Sequence, residues 1–496
     1  MKITSFWFLL YFLPVMLAGY YLLTCFKKLR NIWLALCGLS FYFLCGIEYA
    51  VLAAVLTVVN YTIGFALSRL TAKATDTSLS ADRAAKERLK KTARNIMVLS
   101  VAVNLAPLFA FVFIPRLFPA IPFPFGFASP FSYIVHFGIA FLSLQGISYT
   151  TDIVRSKVEW NPNIISTVVY FTFFPAAFAG PIIKYHTVAD QLENREINFD
   201  KISEGICRLV VGFAKLCIVA EPLLAVSHLI TERSNMSGIY SSAPISLMLL
   251  GLVSCVIGMY HFFSGFSDIS IGIGKMLGFS LPENFRHPQL ATTVTTFWQR
   301  CYGSLTEWFD EYVYDSLSKK RSNNDMMVLH MLVTWLLIGI WAGPSVPSII
   351  FGFWNFVFIL FEKVVEMKEK KKKTLFRHLY VMTVAVVSVI ALNTSGLYQF
   401  TLYISNLSGM KGYGFYSDFA LRLLMEYWPV LFAGLIAAFP IGTIFRQLAS
   451  RTSGILSAVY TVVYPIAMLV LAALILLSLS GVSYDPTQIF SAYLWS

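Results

Sequence analysis

Charge is scarce in this chain of 496 residues: Asp, Glu, Lys and Arg make up only 13% of it, well below the usual quarter of a soluble domain. That shortage excludes a disordered chain and a coiled coil, both of which are charge-rich. The seven cysteines include no CxxC pair and no histidine at ligand spacing, so neither a disulfide framework nor a metal centre is expected. Six of them (Cys25, Cys37, Cys45, Cys207, Cys217, Cys255) lie in apolar runs and read as small buried hydrophobes. Cys301 alone stands in a polar segment. Missing too is any Pro/Gly/Ser linker long enough to join separate folded units, so residues 1–496 read as a single membrane domain.

Hydrophobic residues are what the chain has in abundance: they form 57% of it, aromatics 16%, and the mean hydropathy is +0.68. They come in blocks of about 20, the length that crosses a bilayer. The expectation is an all-α polytopic membrane protein with about 11 to 13 membrane segments, some of them re-entrant or interfacial. The 38 basic against 26 acidic residues leave a net charge of +12. In so apolar a chain this excess belongs to loops facing an anionic leaflet, which makes membrane lipid a partner and excludes nucleic acid.

Residues 5–26 are apolar and are followed at once by Lys27, Lys28 and Arg30. The run is longer than the roughly 7–15 residues of a signal-peptide core, and its charge lies on the wrong side, so it reads as a retained first span. The basic residues after it predict an outside N-terminus and a cytoplasmic first loop. Two further spans return the chain to the cytoplasm at residues 71–95, where seven basic residues face three acidic ones. The stretch 286–321 and the lysine run 363–373, within a basic loop taken as 363–377, are assigned to the same side.

Four segments keep polar residues or chain breakers amid apolar sequence, where charge is costly to bury. In 173–185, Pro175, Gly180 and Pro181 cannot share one uninterrupted helix, and the backbone groups freed there need protein or a cavity around them. In 260–278, small residues favour close helix approach, while His261 and Asp268, seven residues apart, fall on roughly one helix face. His261 suits a functional role and a satisfied interhelical hydrogen bond equally well. Residues 284–314 form an aromatic, amphipathic stretch containing Trp298, Arg300, Ser304 and Trp308. The fourth segment is Trp341-Ala342-Gly343-Pro344-Ser345, which by itself is a helix stop. The segments 174–185, 260–268, 298–308 and 341–345 are expected to surround one cavity near mid-membrane.

In this order the segments resemble the membrane-bound O-acyltransferase (MBOAT) superfamily, in particular its bacterial branch of alginate O-acetylases and lipoteichoic acid D-alanyl transfer proteins. The resemblance runs from about residue 138 to 355. Phe174-Pro175 with Ala179-Gly180-Pro181-Ile182 matches the family's FFP-AGPI segment, and Phe263-Ser264-Gly265-Phe266-Ser267-Asp268 resembles its FSGYSD. Asn284-Phe285, Pro288, Leu290-Ala291, Phe297-Trp298, Arg300, Ser304-Leu305, Trp308-Phe309 and Tyr312 follow its most specific run. The resemblance implies a helical bundle around a central tunnel lined by Ser264, Asp268, Trp298, Arg300, Ser304, Trp308, Trp341 and Gly343. It also implies acyl transfer from a cytoplasmic thioester, acyl-CoA or an acyl carrier protein, to a hydroxyl, with an extracytoplasmic acyltransferase or a polysaccharide synthase as partner. No bound cofactor is expected.

The sequence departs from the family where proton transfer is concerned. The WHG motif, whose His is the family's proposed catalytic residue, reads Trp341-Ala342-Gly343. The second family His is Tyr302, and the Asp expected before FSG is Phe262. Three separate polar losses point to natural divergence. Cys301 and Tyr302 have ordinary pKa values of about 8.5 and 10 and are poor bases near neutrality. His330 lies about 18 Å from Ala342 along a continuous helix. His261 is the best stand-in base. The expected function is acetyl-sized acyl transfer to a cell-envelope polysaccharide in a bacterial plasma membrane, with a non-catalytic scaffold in envelope polymer synthesis as the alternative. A transporter is disfavoured, because no repeated halves with paired broken helices are present.

Overall fold

The structure is a computed structural model, which describes residues 3–75, 83–114, 133–177, 179–236, 243–318, 324–343, 345–367, 375–394, 396–410, 414–442, 444–445, 447 and 455–480. It is helical, with no β-strand among the described residues. Among the described residues eight helices are long and apolar enough to cross a membrane, and three shorter apolar helices (Phe8–Leu22, Ile164–Ala176, Met326–Ala342) accompany them. A polytopic membrane protein is therefore the observed class. Many large apolar side chains, such as Phe432, Leu469 and Leu477, point outward, as lipid-facing helices require.

The chain divides into two compact units, Met1–Ile206 with Ser270–Pro282, and Cys207–Ile269 with Glu283–Ser496. In the first unit lie α1 (Leu13–Leu22), α2 (Lys27–Cys45), α3 (Ile47–Thr75), α4 (Arg83–Leu108), α5 (Tyr133–Val154), α6 (Ile164–Phe171) and α7 (Tyr185–Glu193). Helix α8 (Phe199–Ala214) begins there and continues through a π-turn, Lys215–Ala220, into α9 (Glu221–Met236). Helices α2 to α5 pack side by side, joined by a reciprocal amide pair in which Asn60 and Asn104 bond at 2.8 and 2.9 Å. In an apolar setting each such amide needs its partner.

The stretch 71–95 is largely helical and not the loop expected from its charge. Helix α3 runs to Thr75 and α4 starts at Arg83, since Ala, Lys, Arg and Glu are all good helix formers. Helices likewise intrude on 363–377 from both sides. Lys319, Lys320, Arg321, Lys370, Lys371, Lys372, Lys373 and Pro344, all invoked above, lie outside the described residues. The proline-broken segment does interrupt its block: α6 stops at Phe171, a 3-10 turn spans Phe174–Ala176, and α7 begins only at Tyr185. Its freed carbonyls are met inside the unit, Pro175 O by Ser270 Oγ and Ile183 O by Tyr170 OH at 2.9 Å.

Helix α10 (Ile245–Met276) is the longest, at 32 residues. It ends where Gly278 takes φ +85°, with Phe279 N bonding Gly274 O at 2.8 Å and Gly278 N bonding Lys275 O at 3.0 Å, a closure that favours glycine. The second unit continues with α11 (Val294–Arg300), α12 (Gly303–Phe309), α13 (Asp315–Ser318), α14 (Asn324–Ala342), α15 (Val346–Val364), α16 (Leu375–Leu392), α17 (Leu397–Leu407), α18 (Asp418–Ala438) and α19 (Ile455–Ser480). Helices α14 and α15 cross closely, because a methyl group on Gly339 would collide with the Ser348 carbonyl and one on Gly352 with that of Trp335. Of the cysteines, Cys37, Cys217 and Cys255 are buried as expected, but Cys25 is exposed, in the turn after α1.

Candidate functional site

The second unit holds a cavity of about 560 Å³ whose wall includes Thr293, Thr295, Thr296, Trp298, Thr306, Thr334, Trp335 and Ile338. Helix α11 builds one side, and its placement follows from its ends. Thr293 Oγ1 accepts from Thr296 N at 3.0 Å. Buried Glu362, at the end of α15, accepts from Val294 N, from Thr295 N at 2.9 Å and from Thr295 Oγ1 at 2.7 Å. A carboxylate thus sits on the positive end of a helix. Trp298 is held by its indole Nε1, which donates to Asn355 Oδ1 at 2.7 Å, and by ring contacts with Trp335 and Phe351. Asn355 in turn donates to Ser388 Oγ at 3.0 Å.

The opposite wall comes from α14, through Met331, Thr334, Trp335 and Ile338. Ala342 lies four residues past Ile338, about 6 Å further along the same helix. The position of the family histidine therefore stands one turn beyond the cavity wall, on a helix that ends there. Trp341 and Ala342 are half-buried and Gly343 is buried, its N–H bonding Ile340 O at 3.2 Å. His330, further back on α14, meets Ser318 Oγ at 3.2 Å.

The other predicted residues fall into two groups. Ser304 N bonds Asn284 Oδ1 at 3.1 Å, and Tyr302, at φ +57°, turns the chain from α11 into α12. The Tyr302 ring packs against Phe263 and Phe285, at 5.7 and 5.9 Å between centroids. Burial pushes the Cys301 thiol up to about 12 and the Tyr302 phenol well above its ordinary value, so both are worse bases here than in water. Arg300 is half-buried and its carbonyl accepts from Arg286 N at 3.0 Å. Trp308 is buried against Phe309 and Tyr312.

On α10 the second group is built around Asp268. Its Oδ2 accepts from Lys215 Nζ at 2.6 Å and its Oδ1 from Arg208 Nε at 2.9 Å. Lys215 also donates to Ser264 Oγ at 2.7 Å, and Arg208 forks onto both carboxylate oxygens of Glu283. Arg208 and Lys215 were not singled out in the sequence. The available signal was that they are the sole charges in the otherwise apolar run 205–220. Lys215 opens the π-turn, a helix irregularity frequent at functional sites.

His261, one turn before Ser264, is fully buried, and its Nε2 donates to the Gly434 carbonyl on α18 at 2.8 Å. That bond leaves the proton on Nε2 and a lone pair on Nδ1, which has no hydrogen-bond partner among the described residues. His261, Ser264 and Asp268 are not part of the cavity wall, whereas Trp298 is.

The second unit of this helical membrane protein thus holds a cavity whose wall includes threonines and tryptophans, and a partly buried ion network around Asp268. The model of the membrane-bound O-acyltransferase family matches residues 157–394. A probable alginate O-acetylase of Pseudomonas putida is 31% identical over 366 residues, covering 72% of this chain and 70% of the relative. One of Pseudomonas fluorescens is 29% identical over 365 residues, covering 72% and 65%. The teichoic acid D-alanyltransferase of Bacillus subtilis is 23% identical over 312 residues, covering 61% and 76%. The chain belongs to the membrane-bound O-acyltransferase family. It spans 65% of the length of the Pseudomonas fluorescens relative.

Proposed function

We propose that this protein transfers an acetyl-sized acyl group from a thioester, acyl-CoA or a carrier protein, to a hydroxyl of a cell-envelope polysaccharide or similar acceptor. The observation that carries the reading is the cavity walled on one side by α11 with Trp298, from the stretch that most resembles the family, and on the other by α14. The names of the relatives, alginate O-acetylase and teichoic acid D-alanyltransferase, support an envelope polymer as acceptor. In this reaction a base takes the proton of the acceptor hydroxyl and the oxygen attacks the thioester carbonyl. The C–S bond then breaks, and the thiolate leaves and is protonated. His261 Nδ1 is the assigned base, its ring oriented by the Gly434 carbonyl as catalytic imidazoles are oriented by an acceptor on the other nitrogen. Ser264, Asp268, Arg300, Ser304, Trp308, Trp341 and Gly343 are assigned to the substrate path. The reaction is placed in a bacterial plasma membrane, with residues 71–95, 286–321 and 363–373 cytoplasmic, the N-terminus outside, and an extracytoplasmic acyltransferase or a polysaccharide synthase as partner.

A second reading, a non-catalytic scaffold of the same fold, is favoured by one observation: Ala342 cannot accept a proton and His261 is 0% exposed. Thioester turnover by the native protein, Ala342→His and His261→Ala in one detergent separates the two. General base catalysis is typically worth about 10² to 10⁴ in rate, so Ala342→His raises turnover readily and His261→Ala abolishes it. Native turnover that survives His261→Ala removes His261 from the mechanism. No turnover in any of the three establishes the scaffold.

A further inference from the structure

Helix α2 begins with Lys27, Lys28 and Arg30 in its first turn. Lysines at such a position reach water, and here both are exposed. Arg30 does not: it is 3% exposed, and its Nε and Nη2 have no hydrogen-bond partner. Its guanidinium lies 5.6 Å from the centroid of the Tyr20 ring, and a second buried arginine, Arg195, lies 5.8 Å from the same centroid. Arg195 makes four hydrogen bonds, all to neutral acceptors. Its Nε donates to Tyr20 OH at 2.9 Å, Nη1 to the carbonyls of Gln191 and Leu192, and Nη2 to Asn31 Oδ1.

No carboxylate pairs with either arginine among the described residues. Glu193, close in sequence, accepts from Asn161, Asn163 and Ser166 at its Oε1 and acts on Arg195 only through space. Burial draws the Arg195 guanidinium below its ordinary value, and the Arg30 charge acts in the same direction. Arginine does not lose its proton in proteins; Glu193 acts on Arg195 from beyond ion-pair distance, and Arg30 is left as a buried positive charge with no carboxylate paired to it among the described residues. The N-terminus of a 19-residue helix adds a further positive potential at the same place, and Lys27, exposed one turn before Arg30, has its Nζ 3.5 Å from Asn194 Oδ1.

We propose that Arg30, with Lys27 and Arg195 beside it, is a binding site for a phosphate group, supplied by an anionic lipid headgroup or as inorganic phosphate. A phosphate offers the acceptor oxygens that the Arg30 fork lacks, and basic pockets between membrane helices take such headgroups. The cluster is independent of the acyl-transfer reading.

The test is thermal unfolding of the full chain in nanodiscs of phosphatidylcholine alone, of phosphatidylcholine with phosphatidylglycerol, and of phosphatidylcholine with inorganic phosphate against chloride at equal ionic strength. Native protein gains several degrees of Tm from phosphatidylglycerol, Arg30→Gln loses that gain, and Lys27→Gln loses about half of it. Lys90→Gln, exposed on α4, keeps the gain and controls for diffuse attraction of a basic chain to anionic lipid. An Arg30-dependent gain from inorganic phosphate as large as that from the lipid assigns the site to free phosphate; a gain from phosphatidylglycerol alone assigns it to lipid. The proposal is overturned if native protein melts alike in all conditions, or if Arg30→Gln keeps the gain. Should Arg30→Gln not fold, an unchanged gain in Lys27→Gln overturns it equally.

Discussion

Asp268 and Arg30 are both charges buried in apolar helices, and they have met opposite fates. Asp268 finds two cations within hydrogen-bond reach, and the partly exposed Glu283 completes the network, so four charges cancel one another. Arg30 finds a tyrosine face and a second arginine. A self-neutralising network makes a region independent of its surroundings; an uncompensated charge makes it depend on something outside the chain. The two regions thus separate architecture that the protein carries with it from the site proposed to take a phosphate group.

The comparison breaks most visibly if Asp268 is removed. Asp268→Ala leaves the partly buried Lys215 with Ser264 Oγ as its remaining acceptor, and breaking a fully buried pair costs about 3–5 kcal/mol, an upper bound for a side chain 18% exposed. The expected outcome is a large fall in Tm in detergent, and Asp268→Asn, which keeps shape and one acceptor oxygen, recovers part of it. A mild effect of Asp268→Ala would show that the network is solvated.

Glu362 sharpens the same point with neutral partners. Glu362→Ala strips the acceptor from two backbone N–H groups and a hydroxyl at the start of α11, and is expected to cost about 2–3 kcal/mol. Because α11 carries Trp298, the loss is also expected to lower tryptophan emission anisotropy at the cavity wall. Unfolding and fluorescence measured on one sample check both.

The smallest effect belongs to Glu193. Burial works upward on its carboxyl, but hydrogen bonds from Ser166, Asn161 and Asn163 outweigh it and hold the pKa below the ordinary value of about 4.3. A lowered folded-state pKa contributes stability above the unfolded value, and that contribution is lost as pH falls through the folded one. Glu193→Gln is therefore expected to lower Tm slightly at neutral pH and to converge with the native protein well below about pH 4.3, which flattens the acid limb of the Tm–pH profile.

Much of the architecture could be read from residue order. Pro175, Gly180 and Pro181 announced the break after α6, and the apolar run with small residues announced α10. Local rules suffice for such features, because each depends on dihedral restriction or on length against bilayer thickness. The candidate site was legible only where a side chain acts with its neighbours in sequence. His261 stood out, but its partner Gly434 is 173 residues away, and Asp268 stood out without Lys215 and Arg208, which are 53 and 60 residues distant. Glu362 looked like one more charge before a lysine run, since nothing local says that a helix start 67 residues earlier will settle on it. The onset of α4 was hidden for a different reason: charge marks a segment as water-facing, and helix propensity decides that it stays helical.

The crossing of α14 and α15 at Gly339 and Gly352 has a consequence for whatever enters the cavity. Two helices with no side chain between them behave as one girder, so the wall from Met331 to Ile338, about 10 Å of helix rise, is a fixed gauge and not an elastic sleeve. On the proposed acyl-transfer reading, Gly339→Ala, by prising the girder apart, is expected to change which acyl length the cavity accepts.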